Sequence, residues 1–272
     1  MNIIDRGGGT PIVVITGIQG RWEWMKPTID ALAERCRVIT FSLADEPSSG
    51  GRFNEDRGFF SYVDQVRDAL DAVGLQRAAI CGVSYGGLIA AAFAARHPGR
   101  TSSLVLVSAL PPSWRPDARV RFYLRAPRLL TPLFMLASLR MWREIRVAGD
   151  GFISGVATAA QLGWLSLAHM FSPSRMARRV RLLTAANLAA DFSGTTARST
   201  PTLVITGEQT LDRVVPVQMT HEYLRLWSGA QVATLARTGH LGSMTRPKDF
   251  AELAVPFATG ADDQDDAWRR VG

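Results

Sequence analysis

Short unbroken apolar runs alternate along this chain with segments whose apolar residues recur every three or four positions. The runs are Pro11 to Ile15, Arg37 to Phe41, Ala78 to Ile80, Ser103 to Val107, Leu203 to Ile205 and Val232 to Leu235. Runs this short and rich in β-branched residues predict strands of a parallel sheet buried on both faces. Between them, the spacing of Phe59, Tyr62, Val63, Val66, Ala69, Leu70 and Val73 predicts a helix stopped by Gly74. Pro27 to Glu34, the Ala-rich Leu88 to Ala95 and Gln218 to Trp227 predict three more. This alternation predicts a doubly wound, mostly parallel α/β sheet.

The pattern changes after Pro111-Pro112. From about 113 to 198 there is no strand-like run, only helical stretches broken by Pro116, Pro127, Pro132, Gly149, Gly151 and Pro173. The expected organisation is one α/β core built from residues 1–112 and 199–272, with a helical insert over 113–198. A chain of 272 residues is long enough for both. Its 47% apolar and 20% charged residues are those of an ordinary globular protein. Asp262-Asp263-Gln264-Asp265-Asp266 reads as a disordered end.

The net charge of +7 adds little by itself. All but Lys26 and Lys248 of the 31 basic residues are Arg, and no basic block or nucleic-acid motif is present. Nucleic acid is therefore not an expected partner. The charge is uneven, because residues 113–183 hold twelve Arg against Asp117, Glu144 and Asp150. Arg121, Arg125, Arg128, Arg140 and Arg143 alternate there with apolar residues. A plain solvated face is the simpler reading of that pattern, and a surface attracting an anionic substrate or resting on an anionic membrane is the alternative. Cys36 and Cys81 read as buried free thiols. No charged-then-apolar leader and no apolar run near the ~20 residues of a membrane span is seen, so a cytoplasmic location is expected.

The chemistry concentrates at Cys81-Gly82-Val83-Ser84-Tyr85-Gly86-Gly87, between a strand-like run and an Ala-rich helix. A serine placed on a sharp strand-to-helix turn is a nucleophile elbow, and its neighbours two residues either side must be tiny. Gly82 and Gly86 meet that need, and Gly87 leaves room for helix–sheet packing. The following helix aims its N-terminal N–H groups and dipole at the serine.

Here the chain resembles the α/β-hydrolase family, from about residue 11 to about 255. Thr238-Gly239-His240-Leu241-Gly242 and Arg246-Pro247-Lys248-Asp249-Phe250 resemble that family's Gly-His loop and the start of its last helix. Pro201 to Glu208 resembles the strand and turn presenting the acid, and Asp212-Arg213-Val214-Val215-Pro216 the family's Asp-x-x-Val-Pro. Thr16-Gly17-Ile18-Gln19-Gly20 stands where the family usually carries His-Gly-x-x-Gly, with Thr16 for His. The resemblance implies Ser84 as nucleophile, His240 as base, and an oxyanion hole from the backbone N–H groups of Ile18 and Tyr85. A plain strand-to-helix turn at Gly17 and Gly20 is the alternative for that loop. For the acid, counting from Gly207 and from Pro216 gives different answers. Asp212 is preferred over Glu208, because the Val-Pro segment anchors the turn.

The resemblance further implies that the insert is a helical cap. Trp142 and Trp164 then suit the roof of an apolar pocket and Trp24 its wall; packing beneath the loop is an equal reading for Trp24, and a small core of the cap itself is the plainer reading for most apolar residues of the insert. No metal and no cofactor is expected. The expected activity is hydrolysis of a carboxylic ester of a small or medium apolar molecule. Serine at the elbow argues against the family's epoxide hydrolases and haloalkane dehalogenases, which use aspartate there. Cofactor-free haloperoxidase or perhydrolase, lactonase, thioesterase, carbon–carbon bond hydrolase and non-catalytic receptor remain open, because fold analogy does not choose among them.

Overall fold

The computed structural model describes residues 1–149, 172–186 and 199–269, with Val156, Ala160, Gly163, Leu188 and Phe192 between them. The strands are β1 (Ile3–Arg6), β2 (Pro11–Ile15), β3 (Arg37–Phe41), β4 (Ala78–Val83), β5 (Thr101–Val107), β6 (Thr202–Thr206) and β7 (Gln231–Thr234). They form one sheet in the order β1-β3-β2-β4-β5-β6-β7. Every neighbouring pair is parallel except β1, which runs antiparallel to β3. Strand β1 is an addition to the six expected. It is a half-exposed edge with only two apolar residues, too little pattern to announce a strand.

The helices are α1 (Lys26–Ala33), α2 (Phe60–Ala72), α3 (Tyr85–Arg96), α4 (Ala118–Arg125), α5 (Thr131–Ser138), α6 (Trp142–Ala148) and α7 (Pro173–Ala186). Then come α8 (Val217–Thr220), α9 (Glu222–Leu226), α10 (Gly242–Thr245) and α11 (Pro247–Arg269). The period of two along each strand divides the core into two layers. Val13, Ile15, Ile80, Leu104 and Leu106 pack with α2 and α3, while Ile12, Val14, Cys81, Val105 and Val107 pack with α1 and α11. The single helix expected over 218–227 is two short ones, α8 and α9, which meet at His221. Tyr223 and Trp227 beyond it are fully buried. Helix α11 continues to Arg269, through the acidic stretch expected to be a disordered end.

Between β5 and β6 all described secondary structure is helical, α4 to α7. Among the described residues, no helix is long and apolar enough to cross a membrane. The sheet's C-terminal edge thus meets Ser84 after β4, the turn after β6 and the His240 loop after β7.

Candidate active site

Ser84 sits between β4 and α3 with φ 55° and ψ −116°, a conformation that L residues rarely adopt. Such strain costs about 1–3 kcal/mol and persists only where the surroundings impose it. They do so here: the Ser84 N–H donates to Val107 at 2.9 Å, and its carbonyl accepts from Gly87 and Leu110 at 3.0 and 3.2 Å. The flanking glycines are sterically required. A Cβ on Gly82 would lie 2.3 Å from the Gly86 oxygen, and one on Gly86 2.4 Å from the carbonyls of Ile15 and Thr16.

The side chain of Ser84 meets His240, whose Nε2 lies 3.0 Å from Ser84 Oγ. On the other side of the ring, Nδ1 lies 3.4 Å from Asp212 Oδ2. The other Asp212 oxygen accepts from the backbone N–H groups of Val214 and Val215, both at 2.9 Å. Burial alone would raise the Asp212 carboxyl, but the His240 bond and charge and those two N–H groups outweigh it, so it is held below the ordinary range. Glu208 serves elsewhere. Its Oε1 accepts from the Arg237 N–H at 2.7 Å, holding a residue whose φ is +61°. The acid turn and the histidine loop touch backbone to backbone, for a Cβ on Gly239 would lie 2.7 Å from the Leu211 carbonyl.

The loop after β2 lies over Ser84: a Cβ on Gly17 would be 3.6 Å from the Ser84 Cβ. Ile18 is on this loop, and Tyr85 is the first residue of α3, where no intrahelical carbonyl reaches its N–H. The loop is braced by Arg179 of α7, whose Nη1 donates to the Ile18 carbonyl at 2.7 Å. Arg179 is fully buried and is paired with Asp45 and Glu46 at 2.7 and 2.6 Å. The Tyr85 hydroxyl in turn donates to the Arg179 carbonyl at 3.3 Å. Trp24 follows the loop in a 3-10 turn and is half-buried. Its indole Nε1 is buried with no hydrogen-bond partner among the described residues. Trp142 stands at the start of α6 and is 39% exposed. Trp164 lies outside the described residues.

One carboxylate at the site escaped the sequence reading. Glu144, on α6, is buried and accepts from the Gly239 N–H at 2.9 Å and from the Leu241 N–H, the two residues flanking His240. Burial pushes its carboxyl up to about 7, against the opposing pull of the two N–H groups and His240. The signal available was its isolation as one acid among arginines. For Arg179 there was none, since nothing separates it from Arg175, Arg178 and Arg181 along the chain. No group of three or more metal-ligating side chains occurs among the described residues.

A sharp serine turn, a histidine loop and a carboxylate turn at one edge of a mostly parallel sheet define a class of hydrolase folds, and the comparisons agree. The model of the alpha/beta hydrolase family matches residues 7–253, and the chain belongs to that family of enzymes. The 2-hydroxymuconate semialdehyde hydrolase of Pseudomonas putida is 28% identical, over 96% of this chain and 91% of its own. The fold is shared with the enol-lactonase of Burkholderia xenovorans (TM-score 0.73, 20% identity, 95% of this chain and 96% of that one). It is shared also with an esterase of Exiguobacterium antarcticum (TM-score 0.73, 18% identity, 94% of each chain).

Proposed function

We propose that this hydrolase cleaves carboxylic esters of small or medium apolar molecules through an acyl-enzyme on Ser84. The observation that carries the reading is the 3.0 Å contact of His240 Nε2 with Ser84 Oγ, with Asp212 behind the ring. Ser84 Oγ attacks the ester carbonyl while Nε2 takes its proton. Asp212 fixes the tautomer through Nδ1–H and stabilises the imidazolium. The carbonyl oxygen, now an oxyanion, is held by the N–H groups of Ile18 and Tyr85. The C–O bond then breaks, and the alcohol leaves with the proton from Nε2. Water, deprotonated by the same nitrogen, attacks the acyl carbon, releases the acid and restores Ser84.

Residues 113–198 act as the cap over this site, on a core of 1–112 and 199–272. Trp24, with its unpartnered indole N–H beside the oxyanion loop, is the best supported wall for the substrate. Trp142, at the start of α6, is assigned to the roof. Cys36 and Cys81 are both buried and form no disulfide, which supports a reducing, cytoplasmic setting. A fluorophosphonate should add once, at Ser84, and a panel of p-nitrophenyl esters should be turned over with a preference set by acyl length. Adducts elsewhere, or none, would remove the reading. A second reading, hydrolysis of a substrate such as 2-hydroxymuconate semialdehyde at a bond other than an ester, is favoured by the similarity to the Pseudomonas putida enzyme of that name. Including 2-hydroxymuconate semialdehyde in the panel separates the two, because it carries no ester.

A further inference from the structure

Two charged side chains of the insert reach the site, and they reach opposite halves of it. Arg179 holds the loop of Ile18, and Glu144 holds the loop of His240. Arg179 is explained by its buried pairing with Asp45 and Glu46. Glu144 has no cation bonded to it among the described residues. It is 1% exposed, whereas Trp142 and Arg143 beside it on α6 lie at the surface. Burying a carboxylate is costly unless its hydrogen bonds are satisfied, and its described bonds go to the N–H groups on either side of His240. An apolar side chain would fill the space, so a carboxylate here has the loop as its object.

We propose that Glu144 is a positioning residue, through which helix α6 fixes the His240 loop and lends its negative charge to the imidazolium formed during acylation. The proposal rests on the serine-hydrolase reading above. The geometry is direct: one oxygen accepts both N–H groups, so the peptides entering and leaving His240 are tied to one point on the cap. His240 itself is held at its two ring nitrogens, by Ser84 and Asp212. Glu144 supplies the backbone constraint that those contacts lack. A displacement of about 1 Å at such a group costs on the order of a hundredfold in rate.

The charges around it set the sign of a pH test. From the histidine loop Glu144 faces His240, which favours its charge, and from the acid turn Asp212, which opposes it. Helix α10, packed on α6, has no titratable side chain. Arg237 donates to the Gly149 carbonyl just past the end of α6, and Arg140, Arg143 and Arg146 of the same stretch are exposed. With its carboxyl raised to about 7, Glu144 is mostly neutral at pH 6 and mostly ionised at pH 8.

The test is the second-order rate of fluorophosphonate labelling at Ser84, measured from pH 6 to pH 8 in the full-length protein. Glu144→Ala, which strands both N–H groups, should label about 10- to 100-fold more slowly than wild type. Glu144→Gln keeps an acceptor oxygen and should recover most of that loss. Its remaining deficit should be near zero at pH 6 and grow to about threefold at pH 8, where only wild type carries the charge. A merely structural role predicts a wild-type-to-Gln ratio independent of pH. Labelling of the Ala variant within twofold of wild type overturns the proposal, as does a flat ratio for the isosteric Gln variant, which needs no refolding of the loop. If wild-type protein is not labelled at Ser84, the hydrolase reading falls instead.

Discussion

Helices α4 and α7 are written in the same residues, arginines set among apolar side chains, and the fold places them oppositely. Helix α7 buries Ala177, Arg179, Val180 and Leu183, whereas α4 buries nothing. Three of the four arginines of α7 are taken up by the loop after β3: Arg175 pairs with Glu46, Arg178 with Asp45 and Glu55, and Arg179 with Asp45 and Glu46, while the fourth, Arg181, is exposed and donates to the Leu124 carbonyl of α4. On α4 and beyond, Arg119, Arg125, Arg140 and Arg143 are exposed beside exposed Phe122, Leu133, Met135, Leu136 and Leu139. What distinguishes the helices is not their own sequence but the acids that wait for one of them, some 130 residues earlier in the chain. A basic segment is thus part scaffold and part surface, and only its partners say which part is which.

If that division is right, substitutions should grade in effect from the site, through the seam at α7, to the outer helices. The largest effect belongs to Ser84→Ala, which should cost roughly 10⁴–10⁶ in turnover with the fold unchanged. Asp212→Asn should cost about 10⁴, and Glu208→Gln far less, because Glu208 binds the Arg237 N–H and not His240. Kinetics on the ester panel would reverse the assignment if Glu208→Gln proved the more damaging. The Asp212 carboxyl, held below its ordinary value, also stabilises the fold above its unfolded value near 3.9. That contribution is lost as pH falls through the lower folded value. The Tm gap between wild type and Asp212→Asn should therefore narrow on acidification.

At the seam, Arg179→Met should leave the carboxylates of Asp45 and Glu46 buried without their main cation. Breaking such a pair costs about 3–5 kcal/mol. At about 2–4 °C per kcal/mol for a chain this size, Tm should fall by on the order of 10 °C. Arg125→Gln on α4 should change stability by no more than about 0.5 kcal/mol. Equal Tm losses for the two variants would erase the distinction between the helices. Activity gives a second reading of the same pair, since Arg179 also braces the Ile18 carbonyl and Arg125 touches nothing catalytic.

Local patterns announced most of what is local. The β-branched runs of β2 and β5 and the tiny residues around Ser84 are consequences of burial and close approach, and each is visible within a few residues. The order of serine, acid and histidine motifs then placed three side chains at one edge of the sheet. Three features were not legible, each because its cause lies elsewhere in space. Strand β1 exists because β3 offers an edge. Arg179 is buried because Asp45 and Glu46 are. Glu144 is buried because the two N–H groups flanking His240 need an acceptor. The two counts disagreed at the acid because the turn after Gly207 is longer than the count from that glycine assumes, whereas the count back from Pro216 leads to Asp212, the carboxylate that meets His240.

The smallest effect is expected at the outer helices, where the charge is real but exposed. Arg175, Arg178 and Arg179 are neutralised within the fold, so the field felt by an approaching substrate comes from arginines such as Arg125, Arg140 and Arg143. Fields of exposed charges are screened over roughly 8 Å at physiological ionic strength. If these helices steer an anion, kcat/KM for a negatively charged ester should fall about two- to threefold between low and high salt. A neutral ester of the same acyl length should not respond. Replacing Arg125, Arg140 and Arg143 together by Gln should remove the salt response while leaving the neutral ester untouched, since none of the three contacts the site. Anionic vesicles sharpen the alternative: apolar side chains exposed between arginines would bind them, and that binding should vanish in the same triple variant. Equal salt responses for both esters, with no vesicle binding, would reduce α4 and α5 to a solvated face.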